Sequence, residues 1–267
     1  MASDKLQKTL STLPQPSRLP GAMPPCHLTD ARWLEAIAGD RGLRPWECKV
    51  FGEELIYLFY GGIFYRRSAV PTKNAALLPV GFVFEPQVLG LIDRYFPFDT
   101  GAAASCKYGD PWNSRLEPFR ERFVVNGGGA DAAVKRMVHF LFGTNAHYLK
   151  GRPNDAHKNG PSPLETLFDF FSADLTDRGV DQRYCRTEGH AKVQVPIRND
   201  TLLWVGFPDA FEDQFIQLCE HLQPVPPKYY RYDSWPCMPP NEAAAVLQAR
   251  AYEDVIKPYA EELGGTP

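Results

Sequence analysis

Near the start of the chain, the pattern of apolar and polar positions predicts a helix. Leu34, Ile37 and Ala38 recur at spacings of three and four residues, which places their side chains on one helical face. The helix is therefore predicted over Asp30–Ala38, with its first residue as the N-cap. Gly42 follows closely and is expected to end the helix.

Two later runs predict strands that are buried on both faces. Leu55–Tyr60 and Leu77–Phe84 are apolar and aromatic over most of their length, which suits a buried strand better than a surface strand with strict alternation. His27 lies just before the predicted helix, and Tyr57 lies within the first of these strands. The two side chains are therefore expected to face each other across one sheet.

The rest of the chain continues as a mixture of helices and strands. Helices are predicted over Pro86–Tyr95, Ala130–Phe142, Leu164–Leu175, Ala210–Leu222 and Asn241–Glu262. Strands are predicted over His190–Ile197 and Thr201–Gly206, and the short turn between them predicts a hairpin. The irregular region 96–129 contains Asp99-Thr100-Gly101, a candidate for a lid over a cofactor. The predicted fold class is α+β.

Residues 1–25 differ in composition from the residues that follow them. They are rich in Pro, Ser and Gln, as in the stretch LPQPSRLPGAMPP, and such a segment lacks the apolar side chains for a core of its own. A flexible Pro-rich N-terminal arm is therefore predicted over 1–25. Residues 26–267 are predicted to form a single domain, because a chain of 267 residues can bury one sizeable core.

Charge and composition argue against several classes of protein. The chain carries 29 basic and 32 acidic side chains, a net charge of −3, so it has no global basic field for coating nucleic acid. Its six cysteines are scattered without CxxC pairs, which fits reduced thiols in the cytosol. No apolar run approaches the length needed to span a membrane. A cytoplasmic protein that does not bind membranes is predicted.

Four short motifs follow one another in the first part of the chain: His27-Leu28-Thr29, Gly42-Leu43, Phe51-Gly52 and Tyr57. Together they resemble the opening of ADP-ribosyltransferase domains of the histidine-tyrosine-glutamate type, a family that includes the poly(ADP-ribose) polymerases and DNA-targeting bacterial toxins. The resemblance covers residues 26–65. It implies an ADP-ribosyltransferase-like split β-sandwich with helical additions, which takes NAD as a substrate and uses no metal.

The resemblance also implies roles for individual residues. His27 and Thr29 would hold the ribose and the carboxamide of NAD, and Tyr57 would stack on the nicotinamide ring. Tyr60 or Tyr65 would form a second aromatic wall, although most aromatic residues in this run are expected to pack in the core. A flat cationic pyridinium is held well between aromatic faces, where stacking and cation–π attraction each contribute on the order of 1 kcal/mol.

A carboxylate is the remaining requirement, because cleavage of the nicotinamide–ribose bond develops positive charge on the sugar. The family's late glutamate is best matched by Glu188, in the segment RTEGH before the predicted strand His190–Ile197. Two alternatives stay open. Glu188 could be a loop residue in an exposed ion pair, or Lys192 or Gln194 could occupy the position, which would make the protein a degenerate, non-catalytic member of the family.

Other polar residues add weaker hypotheses. Arg66 and Arg67 follow the aromatic strand, where one guanidinium could pair with a pyrophosphate. His139, His147 and His190 lack the close partners that a zinc site requires, so no metal site is predicted.

The predicted activity is NAD-dependent transfer of ADP-ribose to a macromolecular acceptor, either protein or nucleic acid. If water is the acceptor, the protein is an NAD glycohydrolase. Arg186 stands where family members that modify arginine carry an acidic residue, which argues against arginine as the acceptor. Two other hypotheses are a non-catalytic nucleotide-binding module and a nucleic-acid-directed toxin that uses His27, His147 or His190 as a general base.

Overall fold

The structure is a computed structural model that describes residues 5–64, 69–128, 131–173, 182–222, 226–234 and 237–261. Its strands are β1 (Pro25–Asp30), β2 (Gly42–Leu43), β3 (Trp46–Cys48), β4 (Glu53–Tyr60), β5 (Pro79–Phe84), β6 (Arg94–Phe96), β7 (Val125–Asn126), β8 (Glu188–Ala191), β9 (Val195–Pro196), β10 (Leu202–Pro208) and β11 (Lys228–Tyr232).

The α-helices of the described residues are α1 (Leu6–Thr12), α2 (Leu34–Asp40), α3 (Thr100–Ala104), α4 (Trp112–Leu116), α5 (Phe119–Arg122), α6 (Ala132–Phe142), α7 (Asn145–Leu149), α8 (Ser162–Ser172), α9 (Glu212–Glu220), α10 (Pro240–Ala251) and α11 (Lys257–Glu261). A π-helical turn over Tyr252–Ile256 joins the last two.

A large mixed sheet organises the molecule, and this confirms the predicted α+β class. Its strand order is β11-β10-β5-β1-β4-β8-β6-β7, with β3 added beside β4. The pair β10–β11 is parallel and the other pairs are antiparallel. Strands β2 and β9 form a separate two-stranded sheet. Helix α10 packs on β5 and β10, while α1 and α6 pack near β7 at the other end.

The sheet opens between β1 and β4. These strands are paired only at Pro25 with Tyr60 and at Cys26 with Phe59, whereas β1 continues alongside β5 as far as Asp30. Strand β4 is in turn paired with β8 from Phe59 to Ile56. Because β1 and β4 are antiparallel, the residues of β1 after Cys26 and those of β4 before Phe59 lie beyond the same end of this two-residue pairing. The sheet therefore divides there into two halves.

The first 25 residues, predicted to be a flexible arm, contain a packed helix in their described part. Leu6 and Leu10 of α1 are buried, and the helix packs against α6, α8 and β7. The Arg136 guanidinium of α6 donates to the Leu10 carbonyl at 2.6 Å. The two leucines supply the apolar contact that holds the helix in place. The average composition of residues 1–25 did not predict this contact.

The observed elements near the site also differ from the prediction. The His27-Leu28-Thr29 triplet lies inside β1, and α2 begins only at Leu34, so Asp30 ends a strand and does not cap the helix through its side chain. The chain leaves α2 through Arg41 in a left-handed conformation (φ 52°), and Gly42 starts a strand. The segment forms a strand because pairing of β1 with β5 gives its backbone N–H and C=O groups hydrogen-bond partners.

The predicted hairpin over 190–206 is wrong. The first segment forms β8 and β9, which belong to different sheets, while β10 pairs with β5 and β11. The segment Pro86–Leu91 is a 3-10 helix followed by β6, where one short helix was predicted. Hydrophobic pattern identified these segments as structured but could not choose the partners of each strand.

Candidate functional site

Strands β4, β8 and β6 place a group of polar and aromatic side chains on one face of the sheet. His190 of β8 is directly opposite Tyr57 on one side and Arg94 on the other. Glu188 is directly opposite Phe96. Residues opposite each other in a pair share a face, as do residues two apart in a strand. This register brings Tyr57, Arg94, Glu188 and His190 together.

The Glu188 carboxylate is buried, and within the described part of the chain three donors hold it. Its side chain is 2% exposed. The Thr100 hydroxyl donates to Oε1, and the Thr100 backbone N–H donates to Oε2 at 3.3 Å. His190 Nε2 lies 2.6 Å from Oε1. Contacts of this kind stabilise an ionised carboxylate by roughly 1.5–3 kcal/mol each.

The geometry defines the tautomer of His190. Arg94 Nε lies 3.1 Å from His190 Nδ1, and a guanidinium can only donate hydrogen bonds. Nδ1 is therefore the acceptor, and the ring proton is on Nε2, where it points at Glu188. In this tautomer the neutral imidazole connects Arg94 to the carboxylate.

Burial and the Arg94 guanidinium keep His190 neutral. Desolvation of the fully buried ring and the nearby Arg94 guanidinium lower the His190 pKa to about 3, although the Glu53 carboxylate acts in the opposite direction. Glu53 itself is ionised, because hydrogen bonds from Lys192 and Arg94 lower the pKa of its carboxyl. Its oxygens lie 2.5 Å from Lys192 Nζ and 3.0 Å from Arg94 Nη1. Ion pairs and hydrogen bonds therefore connect Lys192 through Glu53, Arg94 and His190 to Glu188.

Aromatic rings surround the His190 imidazole. The ring centroids of Tyr57 and Phe51 lie 4.7 and 4.8 Å from it in edge-on contacts, and that of Phe96 lies at 5.2 Å. The Arg94 guanidinium lies over the Phe51 ring at 4.4 Å. These contacts exclude water from the imidazole, and they place the half-buried Tyr57 ring beside the group that holds Glu188.

His27 reaches the same strand but by a different contact from the predicted one. Its Nδ1 lies 2.8 Å from the Tyr57 backbone carbonyl, so Nδ1 carries the proton and donates. Because Cys26 is paired with Phe59, His27 starts on the opposite face from the Tyr57 ring. The imidazole therefore bridges the opening of the sheet, and it does not face the Tyr57 ring as expected. Thr29 lies two residues further along β1, beside Val80 of β5.

Tyr60, another predicted ligand residue, does not join this group. Tyr60 is buried, and its hydroxyl accepts from the Met23 N–H at 2.9 Å and donates to the Gly21 carbonyl at 3.2 Å. Burial raises its pKa well above the ordinary value. Tyr60 therefore anchors the N-terminal segment and is not an aromatic wall. Tyr65, Arg66 and Arg67 lie outside the described residues.

The structure distinguishes between the alternatives that the sequence left open at the Glu188 position. Glu188 is the first residue of β8 and is buried, so it is not an exposed loop residue. Lys192 pairs with Glu53, and Gln194 donates to the Asp40 carbonyl at 2.9 Å on the surface. Arg186 is buried, and its guanidinium donates to the backbone carbonyls of Tyr148 and Leu149.

The other histidines lie elsewhere. His147 is exposed on α7, and His139 is on α6, so neither contributes to the group around Glu188. Within the described ranges, no group of three or more His, Cys, Asp or Glu side chains is arranged to hold a metal ion.

Three cavities, of about 550, 530 and 440 Å³, open in other parts of the described structure. Their linings do not include Tyr57, Glu188 or His190. Thr100, at the start of α3, covers the Glu188 carboxylate with both of its donors. The predicted lid segment Asp99-Thr100-Gly101 thus lies directly on Glu188.

Sequence reasoning missed two members of the site, Arg94 and Glu53. It placed Thr100 in a candidate lid without linking it to Glu188, and it named His190 only as a candidate general base of a toxin. One signal was present, because Glu188 and His190 are two apart in a short strand and flank a glycine. A Cβ at Gly189 would lie 2.8 Å from Ile92 Cδ1, so the opposite face of β8 is closely packed while its polar residues share the other face.

No protein-family model matches the chain, and a search of curated proteins finds no match to it. Within the described residues, no helix has the length and apolar character needed to cross a membrane.

Proposed function

We propose that the protein is an NAD-dependent ADP-ribosyltransferase with an ADP-ribosyltransferase-like split β-sandwich fold. One observation carries the proposal: a continuous series of contacts links His27, Tyr57, His190 and Glu188 across the opening between β1 and β4. The sequence resemblance implied three of these four residues. The partial pairing of β1 with β4 supports the split fold.

Glu188 is the catalytic carboxylate in this proposal. Cleavage of the nicotinamide–ribose bond leaves positive charge on the ribose, and an ionised carboxylate in a site sheltered from water stabilises that charge strongly. Burial and three donors hold Glu188 in one orientation before the substrate arrives. Such preorganisation avoids the energetic cost of turning the group during the reaction.

Tyr57 and His27 serve substrate binding. The Tyr57 ring offers an aromatic face to the cationic nicotinamide, and this attraction weakens when the leaving group becomes neutral. Since His27 donates through Nδ1 to the Tyr57 carbonyl, Nε2 is the acceptor nitrogen of its neutral ring and suits a ribose hydroxyl.

Substrate access requires Thr100 to give way. Its hydroxyl and N–H contact the two oxygens of Glu188, and two neighbouring hydroxyls of a ribose could make the same pair of contacts. Binding would therefore exchange two donors from the protein for two from the sugar. The acceptor of ADP-ribose is proposed to be a macromolecule, either protein or nucleic acid.

A second candidate function is a non-catalytic nucleotide-binding module. The burial of Glu188 favours it, because a carboxylate that is 2% exposed and bound by Thr100 can serve the fold alone. In that case NAD would bind at the opening of the sheet and remain intact.

The test is to incubate the full chain with NAD and measure free nicotinamide by chromatography, with NAD binding measured separately by calorimetry. We expect release by the wild type, and a loss of roughly 10²–10³-fold in Glu188→Gln. His27→Ala should weaken binding. Glu220→Gln, which changes an exposed glutamate of α9, is the matched control and should behave as the wild type.

The outcomes separate the candidates. Binding without nicotinamide release supports the non-catalytic module, and neither binding nor release overturns both proposals. Release accompanied only by free ADP-ribose identifies a glycohydrolase. With radiolabelled NAD and a cell extract, removal of the label by protease or by nuclease distinguishes a protein acceptor from a nucleic acid.

A further inference from the structure

Arg94 is the one cation that touches the His190 imidazole among the contacts of the described residues. We propose that Arg94 is a positioning residue for the reaction, which fixes the neutral tautomer of His190 so that the imidazole orients Glu188 without cancelling its charge. This inference rests on the proposed function, because it assigns Arg94 a role through Glu188. It adds a residue that the sequence resemblance does not supply.

The first step is the direction of the hydrogen bonds. Arg94 Nε donates to His190 Nδ1 at 3.1 Å, and His190 Nε2 donates to Glu188 at 2.6 Å. Protonation of Nδ1 would point one N–H at another, between two cations, and would break this contact. The imidazole can become a cation only if the Arg94 guanidinium moves away.

The second step is that Arg94 is itself held firmly. Its Nη1 donates to Glu53 at 3.0 Å, and the guanidinium lies 4.4 Å over the Phe51 ring. Lys192 contacts the other oxygen of Glu53 at 2.5 Å, which keeps that carboxylate ionised. A planar guanidinium can donate through Nε and Nη1 in two directions at once, which lysine cannot do.

The third step is the consequence for Glu188. An imidazolium at 2.6 Å would neutralise most of the field that the carboxylate exerts on a ribose cation. A neutral imidazole still restrains the carboxylate oxygen but leaves its negative charge intact. The arrangement therefore combines orientation with full charge.

Within the described residues, charged and titratable groups face His190 from three strands. Glu53 and Tyr57 approach from β4, Arg94 from β6 and Glu188 from β8 itself. Lys192 acts through Glu53. Arg120 of α5 lies on the Phe51 ring, with its guanidinium carbon 5.8 Å from the ring centroid. Of these, Arg94 and Glu188 make the polar contacts to the imidazole.

The experiment compares Arg94→Met with the wild type in nicotinamide release between pH 5 and 9. In the wild type, kcat should show no loss from histidine protonation across this range. In Arg94→Met, kcat should fall at least tenfold from pH 8 to pH 5.5, with KM changed less than threefold. Arg94→Lys should not restore the profile. Arg198→Met, which removes an exposed arginine paired with Asp200, is the control.

A second readout does not depend on activity. Nitrogen-15 NMR of the histidine rings, with His190 assigned by comparison with His190→Phe, should show an Nε2–H tautomer that does not titrate above pH 5 in the wild type. In Arg94→Met the ring should titrate within the measured range. An unchanged ring and an unchanged pH profile in Arg94→Met overturn the inference, even when the wild type cleaves NAD. If the wild type does not cleave NAD, the proposed function fails, while the NMR result still decides the tautomer.

Discussion

On one side of the opening, β5 buries six consecutive residues and none of them is ionisable, whereas on the other side β8 buries Glu188 and His190 within four residues. Both strands lie in the interior of the same sheet. Burying polar or charged groups costs free energy unless each one is paired. Apolar side chains of similar size often serve stability equally well or better. The β8 side therefore carries residues that the fold alone does not require.

The two halves of the sheet also differ in the kind of side-chain contact that their strands make with neighbouring elements. Strand β5 lies between β1 and β10 and is covered by α10. Apolar side chains are therefore sufficient to pack it against these neighbours. Strand β8 lies between β4 and β6, and each of these strands brings a specific polar partner to it. If the proposed function is correct, the β5 half supplies stability and the β8 half supplies the chemistry, and three predictions test this division.

The largest expected effect is on stability in the β5 half. Phe84 of β5 is fully buried, and Phe84→Ala should lower the free energy of unfolding by about 3–5 kcal/mol, because it leaves a cavity in a close-packed core. Urea denaturation measures this loss. At a temperature where the variant is fully folded, kcat for nicotinamide release should stay within about twofold of the wild type. A folded but inactive variant would show that the division between the halves is wrong.

The second prediction concerns acid stability in the β8 half. The His190 pKa is about 3 in the folded protein and 6.5 ordinarily, so between these values the unfolded chain binds the extra proton. The free energy of unfolding is therefore unaffected by protonation of His190 above about pH 6.5. Below that pH it falls by up to about 1.4 kcal/mol per pH unit. Urea denaturation from pH 7 to 4.5 should show this slope reduced in His190→Phe.

The matched control for the acid-stability prediction is His147→Phe, at an exposed position on α7. Its slope should equal that of the wild type, because the substitution leaves the buried His190 in place. Equal slopes in the wild type and His190→Phe would contradict the assignment of His190 as a buried neutral group.

The smallest expected effect is on substrate binding by Tyr57. Tyr57→Ala should raise KM for NAD about fivefold, because it removes an aromatic face worth on the order of 1 kcal/mol. Tyr57→Phe keeps that face and loses the hydroxyl contact to Cys48 Sγ at 2.5 Å, so its KM should remain near the wild-type value. Steady-state nicotinamide release measures both variants. A KM that rises equally in both would assign the effect to the hydroxyl and not to stacking.

Sequence by itself determined the segments with strong local signals. The apolar runs that became β4 and β5 were predicted within about two residues, because a buried strand needs a continuous apolar run. It also made His27 and Glu188 candidate site residues, since their residue types and order resemble a known family. The helices α6 and α8 followed from their amphipathic spacing.

Only the tertiary structure decided which strands are neighbours and which polar groups meet. Arg94 and His190 are 96 residues apart, and Thr100 and Glu188 are 88 apart, so no local pattern links them. The pairing of β8 with β4 and β6 brings them together, and a shift of one residue in that register would turn them to the opposite face. Hydrophobic periodicity encodes which residues are buried, whereas hydrogen-bond partners depend on strand order and register, which the chain selects only when the whole sheet assembles.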